Sequence, residues 1–110
     1  MSYFKETTHL SEILEESEKN PVVIFIFSSK CGSSTRLSLL LEKTLNEKKL
    51  SVSIFKVTVQ MQPILSKKIE EWFQIKHESP QIISINYGKV SYTAHHSDIK
   101  IDNFLFLNKL

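Results

Sequence analysis

The sequence predicts a single α/β domain, a mixed central sheet of about four strands with helices on both faces. Three observations carry that prediction. Val22-Val23-Ile24-Phe25-Ile26-Phe27 is an unbroken apolar run, the pattern of a strand covered on both faces. Apolar residues then recur at helical spacing over residues 34–47, before a second β-branched run over residues 51–59. Finally, Asn86-Tyr87-Gly88-Lys89 is a hairpin signal between two strand-like segments, residues 82–85 and 90–93.

In chain order, residues 3–4 allow a short first strand. Thr7 or Thr8 can cap a helix whose apolar positions Leu10, Ile13 and Leu14 share one face, and Asn20-Pro21 stops it. After the first long strand, the helix over 34–47 places Leu37, Leu40, Leu41 and Leu45 inward. Val52, Ile54, Val57 and Val59 mark the next strand. Gln62-Pro63 opens a helix running to about Phe73. Pro63 suits the first turn, where its missing N–H costs nothing. Its expected stripe is Ile64, Leu65, Ile69 and Trp72 or Phe73, and both aromatics are assigned to the core. Residues 74–81 connect this helix to the hairpin. A terminal helix is expected over 99–110, with Ile101, Phe104, Leu105 and either Phe106 or Leu107 facing in. Strands separated by helices imply parallel pairs with right-handed crossovers, and the hairpin adds an antiparallel edge.

Composition narrows the function classes. The chain has 110 residues, 41% hydrophobic and 24% charged, an ordinary globular balance for one domain spanning 1–110. A net charge of +2 is too small to argue for nucleic acid or an anionic membrane as partner. The acidic run from Glu15 to Lys19 reads as a solvated helix face. The pairs Lys48-Lys49 and Lys67-Lys68 read as solvent contacts. The first twenty residues lack the apolar core of a secretory leader, and the longest apolar run is far short of a membrane span. One cysteine cannot form an internal disulfide and fits a reducing compartment. The expectation is a soluble, cytoplasmic protein.

That cysteine, Cys31, sits where the first long strand gives way to a helix. A lone cysteine in a globular domain is ordinarily a small buried apolar residue. This one is flanked by serines and a lysine. Ligands of open α/β sheets bind outside the carboxyl ends of the strands. A helix N-terminus presents unpaired N–H groups and a positive partial charge, which favour a thiolate. Lys30 and Arg36 add positive charge. Gly32 lets the backbone turn and leaves the sulfur unshielded, while Ser33 and Ser34 can cap the helix or donate to the sulfur.

These residues resemble the thioredoxin superfamily, whose reactive cysteine opens the helix after the first central strand. The superfamily's cis-proline precedes its third strand and faces that cysteine. Ser79-Pro80 stands in the matching place before Ile82-Ile83, and the resemblance implies a cis bond there. A narrower resemblance lies in "IKHESPQ", residues 75–81, which is similar to a signature of the monothiol bacilliredoxins, a general-stress family associated with bacillithiol. The order of motifs follows that family from about Thr8 to Leu110. Two positions depart from it. Gly32 replaces the family's proline after the cysteine, and Ala94-His95-His96 replaces its Ser-His pair, so either histidine can correspond.

The resemblance implies a monothiol oxidoreductase with Cys31 as nucleophile. Gly32, Ser33, Ser34 and Lys30 would stabilise the thiolate. His77, Ser79 and Pro80 would form the substrate-binding loop, with His95 and His96 as further candidates. It implies no bound cofactor or metal, a low-molecular-weight thiol (bacillithiol) as co-substrate, and S-thiolated proteins as clients. Neighbouring histidines on a strand point to opposite sides, so His95 and His96 make a poor metal pair. Two other readings stay open. Cys-Gly-Ser-Ser is also similar to the Cys-Gly-Phe-Ser of monothiol glutaredoxins, which hold an iron–sulfur cluster with glutathione. A third reading is a redox sensor or interaction domain without turnover.

Overall fold

The computed structural model describes residues 4–47, 52–101 and 104. Five strands, β1 (Phe4–Lys5), β2 (Val22–Phe27), β3 (Ser53–Thr58), β4 (Gln81–Asn86) and β5 (Lys89–His95), form one sheet in the order β1-β3-β2-β4-β5. β1 and β2 run parallel to β3, whereas β4 is antiparallel to both β2 and β5. The expected α/β mixed sheet is present. Its fifth strand is the short segment anticipated near residue 4.

Helices α1 (Leu10–Ser17), α2 (Gly32–Glu47) and α3 (Pro63–Phe73) divide between the two faces. Val22, Ile24 and Ile26 pack with Ile13 of α1 and Leu65 and Ile69 of α3. Val23 and Phe25 point the other way, against Leu41 and Leu45 of α2 and against Phe104. Strand alternation combined with cover on both sides is why β2 reads as a continuous apolar run.

The helical stripes are narrower than the sequence suggests. On α2, Leu41 and Leu45 are buried in one row with Ser34 and Ser38, and Leu40 lies off that row, 50% exposed. On α3, Leu65 and Ile69 face the sheet with Phe73 four residues further on. Ile64 and Trp72 occupy the adjoining row and are 73% and 60% exposed, so Trp72 is not core. α1 begins at Leu10 with His9 as N-cap. Thr7 does not cap the helix. Its hydroxyl accepts from the His9 N–H and donates to Glu12. Ile101 and Phe104 have helical backbone, and the rest of the expected terminal helix lies outside the described residues.

The hairpin turn has positive φ at Tyr87 (50°) and Gly88 (74°), the requirement of a type I′ turn. Ser17 anchors it from α1. The Tyr87 N–H bonds to the Ser17 carbonyl and the Gly88 N–H to the Ser17 hydroxyl, both at 3.0 Å. Ser17 is therefore buried, although it sits within the acidic run read as solvated.

Glu16, in the same run, ties α1 to the sheet. Its Oε2 accepts from the Ser53 hydroxyl at 2.7 Å, from Asn20 Nδ2 at 3.1 Å and from Lys5 Nζ at 3.3 Å. The Ser53 hydrogen bond, then that of Asn20, holds the Glu16 pKa below the ordinary carboxyl range, and Lys5 assists. A carboxyl with a lowered folded-state pKa adds stability that is complete above its unfolded pKa and disappears as pH falls through the folded value. Glu16→Gln is therefore expected to cost about 1 kcal/mol in urea unfolding at pH 7. The gap to the parent closes below about pH 4, the range where an unfolded glutamate protonates.

Candidate functional site

Cys31 immediately precedes α2, and its carbonyl accepts the first helical bond, from the Thr35 N–H at 3.1 Å. The residue thus occupies the N-cap position, where following N–H groups have no helical partner. The loop before it is closed by the Cys31 N–H on the Ser28 carbonyl at 3.2 Å. Gln60 braces the same loop. Its Oε1 accepts from the Ser29 N–H at 3.0 Å, and its Nε2 donates to the Ser28 hydroxyl at 2.8 Å.

The thiol is half-buried, and its pKa is lowered. The largest cause is the Ser34 backbone N–H, followed by the Ser34 hydroxyl. The Ser33 N–H and the Arg36 charge assist, and burial opposes them. Ser34 is fully buried, and its Oγ also accepts from the Ser28 N–H at 3.4 Å. Ser33 acts through its backbone. Its hydroxyl instead accepts from the Arg36 guanidinium at 3.4 Å. The assisting cation is Arg36. Lys30 is exposed.

Gly32 needs a different account from the one its sequence position suggested. It opens α2 outside the left-handed region, and a Cβ there would meet no heavy atom within 4 Å. The backbone does not require glycine at this place. A helix's first position also tolerates proline, the residue of the family pattern.

Opposite the cysteine lies the loop that precedes β4. The Ser79-Pro80 bond is cis, and the Cys31 thiol donates to the Ser79 carbonyl at 3.9 Å, a long sulfur contact. Cys31, Ser33, Leu37, Ser79, Pro80, His96, Ser97 and Ile99 line a cavity of about 510 Å³. This arrangement brings together the cysteine, the proline loop and one of the two late histidines.

His77 does not line the Cys31 cavity. Its ring pairs with the Ser66 hydroxyl at 3.2 Å and the Ser79 hydroxyl at 3.4 Å, so it holds the loop in place. The loop's further supports were not visible in the sequence. Glu70 of α3 accepts the His77 N–H at 2.7 Å. Gln81 spans the bend, donating to the Lys76 carbonyl at 3.0 Å and accepting from the Glu78 N–H at 3.4 Å. Gln60 and Glu70 belong to no motif, and Gln60 acts across more than thirty residues of sequence. The one hint was the seven-residue stretch that contains Gln81.

His95 ends β5 and its Nε2 lies 3.1 Å from Glu78 Oε2. Glu78 therefore faces His95. His96 begins a short 3-10 helix (His96–Asp98) with φ 52°, and its N–H donates to the Pro80 carbonyl at 3.0 Å. That backbone break defeats the strand alternation on which the separation of the two rings was argued. Their centroids are 5.2 Å apart.

The family model of the monothiol bacilliredoxin BrxC matches residues 3–104. The chain belongs to the monothiol bacilliredoxin family. No curated protein matches it significantly. Among solved structures, one described as a candidate oxidoreductase with a thioredoxin fold is 24% identical, with a TM-score of 0.75 over 88% of this chain and 86% of that one. Thioredoxin O2 from Arabidopsis thaliana, in its oxidised state, is 16% identical, with a TM-score of 0.70 over 93% and 88%. Mitochondrial thioredoxin 3 from Saccharomyces cerevisiae, also oxidised, is 21% identical, with a TM-score of 0.66 over 86% of each chain. At these identities the structures establish the thioredoxin fold. Family membership supports a thiol redox function for this bacilliredoxin.

Ser34→Ala removes the second-largest cause of the lowered Cys31 pKa and leaves the largest, a backbone N–H. Thiolate absorbance followed against pH is expected to shift to higher pH in this variant, towards but not as far as free cysteine at about 8.5. In the parent, reactivity with iodoacetamide falls as pH drops through the lowered pKa, because protonation removes the nucleophile.

Proposed function

We propose that this bacilliredoxin reduces mixed disulfides between proteins and a low-molecular-weight thiol, with bacillithiol as that thiol. The observation that carries this reading is the Cys31 thiol, lowered in pKa and open to a cavity whose opposite wall is Ser79 and Pro80.

The step follows from the chemistry of one sulfur. The Cys31 thiolate attacks the small-thiol sulfur of a protein–S–S–thiol adduct. A new disulfide forms between Cys31 and the small thiol, the old one breaks, and the client departs as a thiolate that takes a proton from water. The client sulfur is reduced and Cys31 is oxidised. With one cysteine in the chain, no internal thiol can resolve the adduct. A second molecule of small thiol attacks it, releasing Cys31 and a symmetrical small-thiol disulfide.

The surrounding groups supply three functions. The Ser33 and Ser34 N–H groups and the Ser34 hydroxyl hold negative charge on the attacking sulfur and on the same sulfur when it leaves. A lowered pKa makes Cys31 a good leaving group in resolution, with some loss of intrinsic nucleophilicity in attack. The Ser79 backbone lies beside the sulfur, where an extended client segment can pair with it as an added strand. His77 and Glu70 keep that backbone in position. Bacillithiol and a reducing, cytoplasmic setting come with the family reading. Among the described residues no helix is long and apolar enough to cross a membrane.

The test uses a reporter protein carrying one bacillithiol mixed disulfide. Mixed with reduced protein, it is expected to lose bacillithiol while intact-mass spectrometry finds one bacillithiol on Cys31. Cys31→Ser abolishes both signals and keeps its circular dichroism spectrum. A reporter that stays thiolated, with Cys31 unmodified, overturns the reading. Transfer from a glutathione or coenzyme A adduct at an equal or higher rate would refute bacillithiol as the preferred thiol.

A further inference from the structure

We propose that Glu78, His95 and His96 form a binding site for a divalent first-row transition ion, zinc foremost, at the rim of the Cys31 cleft. Two imidazoles and a carboxylate are the donor set that such ions favour, with zinc taking three protein ligands and keeping a fourth position open.

The geometry argues the site in three steps. One donor nitrogen or oxygen from each residue lies within 4.8 Å of the others, and the His95 Nε2 to Glu78 Oε2 separation is already 3.1 Å. Bonds of about 2.0–2.2 Å around a tetrahedral ion require donors about 3.3 Å apart. The difference is within the reach of side-chain rotation. Glu78 and His95 are half-buried and His96 is exposed, so no core packing resists the adjustment.

The backbone also places the three residues on a common frame. On a continuous strand, His95 and His96 would project to opposite faces. His96 instead adopts φ 52°, a conformation uncommon for a residue with a side chain, and its N–H is pinned to the Pro80 carbonyl at 3.0 Å. Strained backbone of this kind recurs at ligand clamps. The frame extends to Glu78 through two links. His95 is registered against Gln81 in the β4–β5 ladder, and Gln81 accepts the Glu78 N–H. Ligands from two separate segments are therefore held by main-chain and amide contacts before any ion arrives.

The site is separate from the nucleophile, although the two are neighbours. His96 lines the Cys31 cavity, whereas the cysteine sulfur is not one of the clustered donors.

The test is zinc titration of the untagged Cys31→Ser protein by isothermal calorimetry. One ion per chain is expected, with the same affinity as the reduced parent at sub-stoichiometric zinc. His95→Ala and His96→Ala are each expected to weaken binding by about tenfold or more, and Glu78→Gln by a similar factor, since loss of even a supporting group costs about 10–100-fold. His9→Ala, a histidine outside the cluster, leaves affinity unchanged. Should one histidine variant fail to fold by circular dichroism, the other and Glu78→Gln decide the matter. No heat of binding, binding that vanishes with Cys31→Ser, or affinities unmoved by all three ligand substitutions would each overturn the proposal.

Discussion

The chemistry of this protein depends on one short piece of backbone, the entry into the helix that follows the first long strand. Between Ser28 and Ser34 the chain folds back on itself. The Cys31 N–H is used by the Ser28 carbonyl, and the Ser28 N–H by the buried Ser34 hydroxyl. Those contacts leave the Ser33 and Ser34 N–H groups directed at the sulfur, where they favour negative charge. The favourable contribution is mainly from hydrogen bonding, with a smaller share from the Arg36 charge. A neutral backbone donor held in a fixed direction loses little when solvent and salt screen surface charges.

The sheet supplies the rigidity that this arrangement needs. β2 is covered on one face by α1 and α3 and on the other by α2, so its carboxyl end cannot shift without disturbing both halves of the core. β4 lies beside β2 and runs the opposite way. Its first residues therefore stand next to the last residues of β2, which brings Ser79 and Pro80 to the cysteine across 48 residues of sequence. Polar side chains then fasten both loops: Gln60 on the cysteine side, Glu70 and Gln81 on the proline side. Glutamine and glutamate suit this work because one side chain can reach a backbone group several residues away while its stem packs.

Much of the site was legible in the residues. Cys31 stands out because strand, serine-rich turn and helix succeed one another around it, and the stretch from Ile75 to Gln81 marks the bacilliredoxin pattern. Lys30 and Gly32 were assigned to the thiolate by proximity in sequence, whereas Lys30 meets solvent and Gly32 simply begins a helix. His77, assigned to the substrate loop, props Ser79 from within it. Trp72 and Leu40 were placed inside because they are large and apolar. Helical rows 100° apart put one row on the sheet and the next in water, and composition alone cannot choose between adjacent rows.

The sequence by itself determined the class of fold and the family, and it singled out Cys31 as the residue to examine. Periodicity, punctuation and a specific seven-residue stretch are local properties, and local patterning suffices for them. The tertiary structure alone decided which groups act on the sulfur, which histidine enters the cleft, and that Glu78, His95 and His96 converge. Those outcomes depend on a strand pairing and on one backbone angle at His96. Both are set by contacts between segments far apart in the chain, and residue order does not encode such contacts in any single window.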